Sequence, residues 1–303
     1  MATQATVRKV ERIHPETGMG RVHYTSADLD AQVAFYTQIL GFRLRWRQPD
    51  AASLGTRTRE LLRLTYRPGA RRAGRTTGLY HTAFLVPTRR DLAHLVRRIA
   101  EARVPVDGTS DHGTHLAIYL PDAEGNGIEL AWDFPRSQWP IKDGQWDLSA
   151  MPRRGVDLQA LLSELSRDDS PWEGLPEETK VGHVHLHVAD LDAAQWFYCD
   201  VLGFDVMLRH DRWGAMFVSA GGYHHHLGLN VWNGVGAPPA PEGSVGLRNF
   251  AVELPDEEAH QAVVRRVREA GIAVQEDSEG ILVYDPFHIG VLLTVRQEQV
   301  SVG

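Results

Sequence analysis

Histidine is the residue type with which this sequence could do the most chemistry. Fifteen of the 303 residues are histidines, and an imidazole can bind a metal or transfer a proton near neutral pH. His183, His185 and His187 alternate along an apolar run, so a β-strand would place them on one face. A second run follows at 224–226. His185 and His226 could form a metal site, but we favour a polar pocket or an interface.

A second feature is the arginine-rich segment 43–75, which contains ten Arg and only two acidic residues. A solvated sheet edge is the interpretation we favour, and electrostatic steering of an anionic aromatic substrate is the alternative. The single cysteine, Cys199, excludes intramolecular disulfides and cysteine-based metal sites. Any metal in this protein must therefore be held by His, Asp or Glu.

Composition limits the classes of protein further. The length indicates two domains, and a hydrophobic fraction of 43% is ordinary for a folded chain. A net charge of -7 argues against a nucleic-acid partner. There is no apolar run of about 18 residues and no apolar segment near the N-terminus. We therefore expect a cytoplasmic protein without a membrane partner.

The chain repeats itself, and the repeat defines its organisation. Residues 20–47 and 182–209 are identical at 14 of 28 positions with an offset of 162. Residues 79–106 and 247–274 are identical at 9 of 28 positions with an offset of 168. Such a repeat indicates that both halves share one architecture.

Each half in turn contains two similar units of one strand, one helix and several further strands. In the first unit a strand at 22–25 precedes a helix that Asp28 or Asp30 would cap. In the second unit a strand at 80–86 precedes a helix that begins near Asp91. The predicted division is a tail at 1–19, a module at 20–133, a linker at 134–180 with one helix at 157–166, and a second module at 181–297.

This pattern resembles the vicinal oxygen chelate superfamily, which contains glyoxalase I, bleomycin-resistance proteins and extradiol dioxygenases. The resemblance implies an α+β fold of four βαβββ units in two modules, each an open β-cup. In that family a pair of units holds one divalent metal. The ligands project from the first strand of each unit and from the last strand of the second.

The matching positions in the first half are His23, His81 and Glu129. Two imidazoles and one carboxylate form a facial triad that suits non-haem Fe(II), with Mn(II) as a substitute. At the equivalent positions the second half has His185, Asn249 and Leu292. The resemblance therefore implies that the second module has lost its triad and packs, shapes the pocket or forms an interface.

Residues 110–130 resemble the signature of extradiol dioxygenases more closely. They supply His112, Tyr119, Asp122, Gly125 and Glu129 at compatible spacings, and depart from the signature at Ser110 and Ala123. By resemblance, His112 would hydrogen-bond substrate or oxygen and Tyr119 would help a proton leave the ring oxygen. The segment 135–140 is also similar to a catechol 2,3-dioxygenase-like subgroup of two-module bacterial proteins.

One position departs from both enzyme types of the superfamily. Extradiol enzymes place another catalytic His on the last strand of the first unit, and glyoxalase I places a carboxylate ligand there. The comparable strand here, 60–66, has Arg63 and no His. Arg63 cannot bind a metal, so it weakens the glyoxalase interpretation more than the dioxygenase one.

The resemblance favours an Fe(II)-dependent extradiol dioxygenase that cleaves catechol or a substituted catechol with O2. The alternatives are a metal-dependent glyoxalase-like lyase or isomerase, and a non-catalytic binding protein of the bleomycin-resistance kind. The expected partners are a small aromatic diol and O2, with no nucleic acid and no membrane. We also expect a homo-oligomer.

Overall fold

The computed structural model describes residues 11–167 and 172–297 as four units of similar construction. The first unit contains β1 (Gly18–Ser26), α1 (Leu29–Ala34) with a π-helical turn (Phe35–Ile39), β2 (Arg43–Arg47), β3 (Ala51–Gly55) and β4 (Glu60–Tyr66). The second contains β5 (Gly78–Leu85), α2 (Arg89–Glu101), β6 (Gly108–Asp111), β7 (His115–Pro121) and β8 (Gly127–Asp133).

The linker contains β9 (Ile141–Lys142), β10 (Gln145–Trp146) and α3 (Leu158–Leu162). The third unit contains β11 (Lys180–His187), α4 (Leu191–Gln195) with a π-helical turn (Trp196–Val201), β12 (Asp205–His210), β13 (Ala215–Ser219) and β14 (Leu227–Asn230). The fourth contains β15 (Gly246–Leu254), α5 (Glu257–Glu269), β16 (Val274–Asp277), β17 (Gly280–Tyr284) and β18 (Gly290–Val295).

These strands form two curled sheets of eight strands each. The first sheet has the order β16-β17-β18-β15-β1-β4-β3-β2 and joins units 1 and 4. The second has the order β12-β13-β14-β11-β5-β8-β7-β6 and joins units 2 and 3. We call them cup A and cup B. The two cups are in contact, since the hydroxyl of Tyr24 on β1 donates to Thr82 Oγ1 on β5 at 2.6 Å.

The predicted α+β fold of four βαβββ units in two open cups is confirmed, but each cup combines units from different halves of the sequence. The module boundaries at 20–133 and 181–297 stay a prediction about sequence units. Residues 1–10 of the predicted tail lie outside the described residues. Its remainder packs on the second half, because Ile13 is buried and its amide donates to Gly203 O at 2.9 Å.

The helices begin where side-chain caps are available. Asp28, rather than Asp30, caps α1 by accepting from Ala31 N at 2.9 Å, and Asp190 caps α4 in the same way. Helix α3 lies within the predicted 157–166 segment and is capped by Asp157. Each cap satisfies one of the backbone amides that a helix start leaves without a partner.

A tyrosine–aspartate hydrogen bond joins the two units of each half. The hydroxyl of Tyr36 donates to Asp122 at 3.2 Å, and that of Tyr198 donates to Asp285 at 2.9 Å. Both carboxylates also accept two backbone amides of the turn that precedes the last strand of their unit. Asp122, part of the predicted signature, therefore has a structural role that the second half repeats.

Candidate metal centre

Three buried ligand atoms converge inside cup B. Glu129 Oε2 on β8 lies 3.0 Å from His81 Nε2 on β5 and 3.1 Å from His183 Nε2 on β11. The two imidazole nitrogens are 3.3 Å apart. All three residues are buried, and Glu129 is 1% exposed. The strand order explains the convergence, since β5 is bonded to both β8 and β11.

This spacing fits one divalent metal. Ligand atoms about 2.1 Å from a metal and at right angles to each other are about 3.0 Å apart. The other carboxylate oxygen, Glu129 Oε1, is buried and lies 3.0 Å from His115 Nε2, so the carboxylate is oriented with Oε2 facing the two imidazoles. The residues present therefore fit a facial triad.

The charge states of these groups are also those that a metal requires. Burial raises the pKa of Glu129, but the neighbouring His183, His115 and His81 outweigh it and hold that pKa well below its usual range. Burial lowers the pKa of His81, although Glu129 opposes the shift. A metal binds an ionised carboxylate and a neutral imidazole, so both shifts favour binding.

The structure places His23, a predicted ligand, outside this cluster. His23 lies on β1 in cup A, where its Nε2 is 2.7 Å from Thr65 Oγ1. Burial and the charge of Arg21 lower its pKa to about 3. The histidine that joins His81 and Glu129 is His183, because β11 and not β1 is the neighbour of β5.

Cup A contains ion pairs instead of a triad. The offset of 162 places Arg21 where the second half has His183. Arg21 pairs with Glu60 at 3.3 Å and with Glu279. Arg63 also pairs with both carboxylates, at 2.6 and 2.8 Å. The cations and anions of this network neutralise one another, and the described residues of cup A contain no three-ligand cluster.

The structure brings His112 and Tyr119 together beside the triad. His112 Nε2 lies 2.8 Å from the Tyr119 hydroxyl. Tyr119 on β7 is the register partner of Glu129 on β8, and its ring centre is 5.3 Å from that of His81. Burial and the neighbouring His115 lower the pKa of His112 to about 3, so this imidazole is neutral.

A second series of polar groups contacts the Glu129 carboxylate through its other oxygen, Oε1. Asp133 accepts from the Tyr223 hydroxyl at 2.8 Å and lies 3.0 Å from His224 Nε2. The ring of His224 stacks on that of His115, with centres 4.6 Å apart and planes at 11°. His115 Nε2 is in turn 3.0 Å from Glu129 Oε1.

The atoms of His115, Asp133 and His224 are close enough to surround an ion. However, an imidazole lone pair lies in the plane of its ring, and the two rings are nearly parallel. Their lone pairs therefore do not converge on one point. We interpret this group as a hydrogen-bonded and stacked support for Glu129, a role that the sequence did not suggest for His115.

His225 is a site residue that sequence reasoning missed. It is buried just before β14, and its ring centre is 4.0 Å from that of His183. The sequence lacks a His on strand 60–66, but cup B takes its first unit from the second half. There the comparable strand is β14, and the run at 224–226 precedes it. The histidine run at 224–226 is therefore the feature of the sequence that could have indicated this residue.

His185 and His226 have separate surroundings and do not form the suggested second metal site. The ring of His185 lies against Tyr80, Phe217 and Trp232. His226 Nδ1 accepts from the Ala220 amide at 3.1 Å. Neither His185 nor His226 belongs to a three-ligand cluster of the described residues.

Comparison with known proteins decides the family. The sequence model of the Glyoxalase/Bleomycin resistance protein/Dioxygenase superfamily matches residues 18–130 and 180–289. The chain belongs to this superfamily. The resemblance inferred from the sequence is thereby confirmed, and the two matched segments show that this superfamily member carries the domain twice.

Similarity to individual members of the superfamily indicates the type of activity. The chain is 40% identical over 280 residues to catechol-2,3-dioxygenase of Bacillus subtilis (strain 168), a match that spans 90% of this chain and 95% of that protein. Over 113 residues it is 33% identical to biphenyl-2,3-diol 1,2-dioxygenase 3 of Rhodococcus globerulus, spanning 35% of this chain and 57% of that protein. This homology supports an oxidoreductase with a dioxygenase-like function.

Solved structures show the same fold. A putative dioxygenase of Bacillus subtilis superimposes with a TM-score of 0.67 and 14% identity, covering 95% of this chain and 87% of that one. Glyoxalase I of Zea mays superimposes with a TM-score of 0.55 and 18% identity, covering 91% and 92%. In the described part of this chain, no helix is long and apolar enough to cross a membrane.

Proposed function

We propose that the protein is an extradiol ring-cleaving dioxygenase of catechol or a substituted catechol. The observation that carries the proposal is the triad of His81, His183 and Glu129, whose ligand atoms lie 3.0 to 3.3 Å apart. We assign Fe(II) to this site, with Mn(II) as a possible substitute. A 2-His-1-carboxylate set is the typical ligand set of non-haem Fe(II) oxygenases.

The triad binds only one face of a metal and leaves the other face open to small ligands. When bound, the metal would act as a Lewis acid and bring the two diol oxygens and O2 into one coordination sphere. His81, His183 and Glu129 are held by three adjacent strands, so their positions do not depend on mobile loops. This rigidity keeps the open face in a fixed orientation.

Tyr119 and His112 are the groups we assign to proton transfer from the diol. The Tyr119 hydroxyl oxygen would accept a proton from the diol as it passes its own proton to His112 Nε2, 2.8 Å away. Burial raises the pKa of Tyr119 well above its usual range, and the Glu129 charge adds to the shift. Tyr119 is therefore protonated and His112 neutral before the reaction, so this hydrogen-bonded pair can relay a proton away from the diol.

His225 is the third proton-handling group of the proposal, at the β14 side of the cup. Burial and the neighbouring His183 lower its pKa well below the usual range, so it enters the reaction as a neutral imidazole. It takes the place of the histidine that strand 60–66 lacks. We assign it to hydrogen bonding and proton relay with the oxygen-derived ligand, since a neutral imidazole gives the proton of one ring nitrogen only as the other nitrogen receives one.

The lyase alternative receives no support from the site. That chemistry needs a free carboxylate base near the metal. Asp133 is the other carboxylate close to the cluster in the described part of cup B, and it is hydrogen-bonded by His224 and Tyr223. A non-catalytic binding protein would not need the triad, which is present.

The test is anaerobic loading with Fe(II), followed by a panel of catechols with O2 uptake and the yellow ring-fission absorbance as readouts. The proposal predicts stoichiometric O2 uptake and a muconic semialdehyde product. Absence of O2 uptake across the panel, with iron fully bound, would contradict it. Isomerisation of a hemithioacetal to a 2-hydroxy thioester by the metal-loaded protein would favour the lyase or isomerase alternative instead.

A further inference from the structure

A cavity of about 490 Å³ lies where the ends of the two cups meet. Two long connections build it, 67–77 between β4 and β5 and 231–245 between β14 and β15. The connections are held together by a β-bridge between Arg72 and Val245. Long connections without secondary structure are often functional, and the volume is that of a small-molecule pocket.

The lining of this cavity has an excess of positive charge. Arg67, Arg72 and Arg248 line it together with one carboxylate, Glu242. None of the three arginines forms an ion pair with a carboxylate of the described residues, and Arg72 donates to the backbone oxygens of Glu124 and Gly125. In cup A, by contrast, the guanidiniums of Arg21 and Arg63 are neutralised by carboxylates.

The cavity adjoins the metal centre through β11. His187 lines the cavity and lies on the same strand as His183. Four residues of extended strand span about 13 Å, and alternation places both side chains on one face. Tyr284 and Phe287 add aromatic surface to the cavity wall. A ligand with an apolar body and an acidic group at one end would therefore match this lining.

We infer that this cavity binds the carboxylate of a small organic acid. A guanidinium donates two parallel hydrogen bonds to a carboxylate, and the aromatic surface of Tyr284 and Phe287 favours an organic acid over an inorganic anion. The carboxylate has two possible sources, an acidic substituent on the catechol or a separate acid. The first source rests on the proposed dioxygenase function, and the second does not.

The first experiment measures binding without turnover. Isothermal titration calorimetry with benzoate as the probe compares the wild-type protein, an Arg67→Gln/Arg248→Gln variant and the control Arg265→Gln. Arg265 is exposed on α5 and does not line the cavity. Loss of charge-assisted hydrogen bonds should raise the Kd about tenfold or more, whereas the control should match the wild type.

Two results would overturn the inference. One is an equal Kd for benzoate in the wild type and the double variant. The other is neutral benzamide binding as tightly as benzoate, since the site would then not recognise charge. Both replaced arginines are exposed, so the variant should fold, and an unchanged circular dichroism spectrum and Tm verify that it does.

The second experiment separates the two sources of the carboxylate. It compares the KM of a catechol that carries a carboxylate on an alkyl chain long enough to reach the cavity with that of its methyl ester in the same variants. If the acid has a lower KM than its ester in the wild type, and the double variant abolishes this difference, the carboxylate belongs to a substituent of the substrate. Equal KM values together with benzoate binding identify a separate acid. If no catechol is cleaved, the proposed function fails while the benzoate result still decides the inference.

Discussion

The negative charge of Glu129 depends on its immediate neighbours. Its carboxylate is fully buried and lies within 3.1 Å of three imidazoles, those of His81, His115 and His183. A buried carboxylate without compensation costs several kcal/mol, so the surrounding histidines and the proposed metal together make its ionised form tolerable. Removal of this single charge should therefore affect metal binding more than folding.

Glu129→Gln tests that statement at the residue scale. The amide has nearly the same shape but lacks the charge, so the metal affinity should fall by more than about 100-fold, beyond the effect of losing a supporting contact. Competition with a chromophoric chelator measures it. Glu60→Gln, which alters a half-buried carboxylate of cup A, is the control and should keep wild-type affinity. Wild-type affinity in Glu129→Gln would refute the ligand assignment.

Tyr119→Phe removes one hydroxyl from the proposed proton path and leaves the triad intact. Metal content should be unchanged, while kcat should fall by about 10²–10⁴-fold, the usual contribution of a general acid–base group. Single-turnover ring cleavage measures the loss. Tyr24→Phe removes another buried hydroxyl, which donates to Thr82, and should leave kcat unaltered. Undiminished cleavage in Tyr119→Phe would show that the segment 110–130 marks a hairpin shape only.

At the scale of elements, the repeated tyrosine–aspartate bond holds the helix of one unit against the turn of the next. In the second half it joins the π-helical turn after α4 to the turn before β18 through Tyr198 and Asp285. Burial raises the pKa of Asp285 from 3.8 to about 6, although backbone and tyrosine hydrogen bonds oppose the shift. The ionised form of this carboxyl therefore destabilises the fold.

The sign of this shift predicts a pH dependence of stability. Because the folded pKa is above the unfolded value, the contribution of Asp285 is present below about pH 4 and is lost as the pH rises through about 6. Asp285→Asn should therefore gain stability relative to the wild type by about 3 kcal/mol between those pH values. Urea unfolding at both ends of the window measures the difference. Parallel pH profiles would contradict the assignment.

The strand pairing is the feature that the sequence could not provide. The repeat shows four units of one kind, and the capping aspartates and strand alternation follow from local patterns. Equivalent units can pair in more than one way, however, because the same first strand offers the same edge in every unit. His81 and Glu129 were recognisable, but their partner depended on whether β1 or β11 lies next to β5.

A local signal for the correct partner did exist. The offset of 162 aligns His183 with Arg21, and a guanidinium cannot bind a metal. A functional ligand on this strand position was therefore available only in the third unit. His112 and Tyr119 could be predicted from a short motif, because both lie on one hairpin and need no long-range pairing.

At the scale of the whole molecule, the duplication produced two cups with different interiors. Cup B holds the triad, while the ion pairs of Arg21 and Arg63 neutralise the equivalent region of cup A. Units 2 and 3 come from different halves, so neither half alone contains all three ligands. We therefore expect one metal for each full chain, bound in cup B.

Metal content of His183→Ala beside His23→Ala tests the central claim most directly. Both variants remove one buried or partly buried imidazole from the first strand of a unit, and circular dichroism verifies that both are folded. After Fe(II) loading and gel filtration, His23→Ala should keep one metal per chain and His183→Ala should keep almost none. Loss of the metal in His23→Ala with retention in His183→Ala would contradict the account.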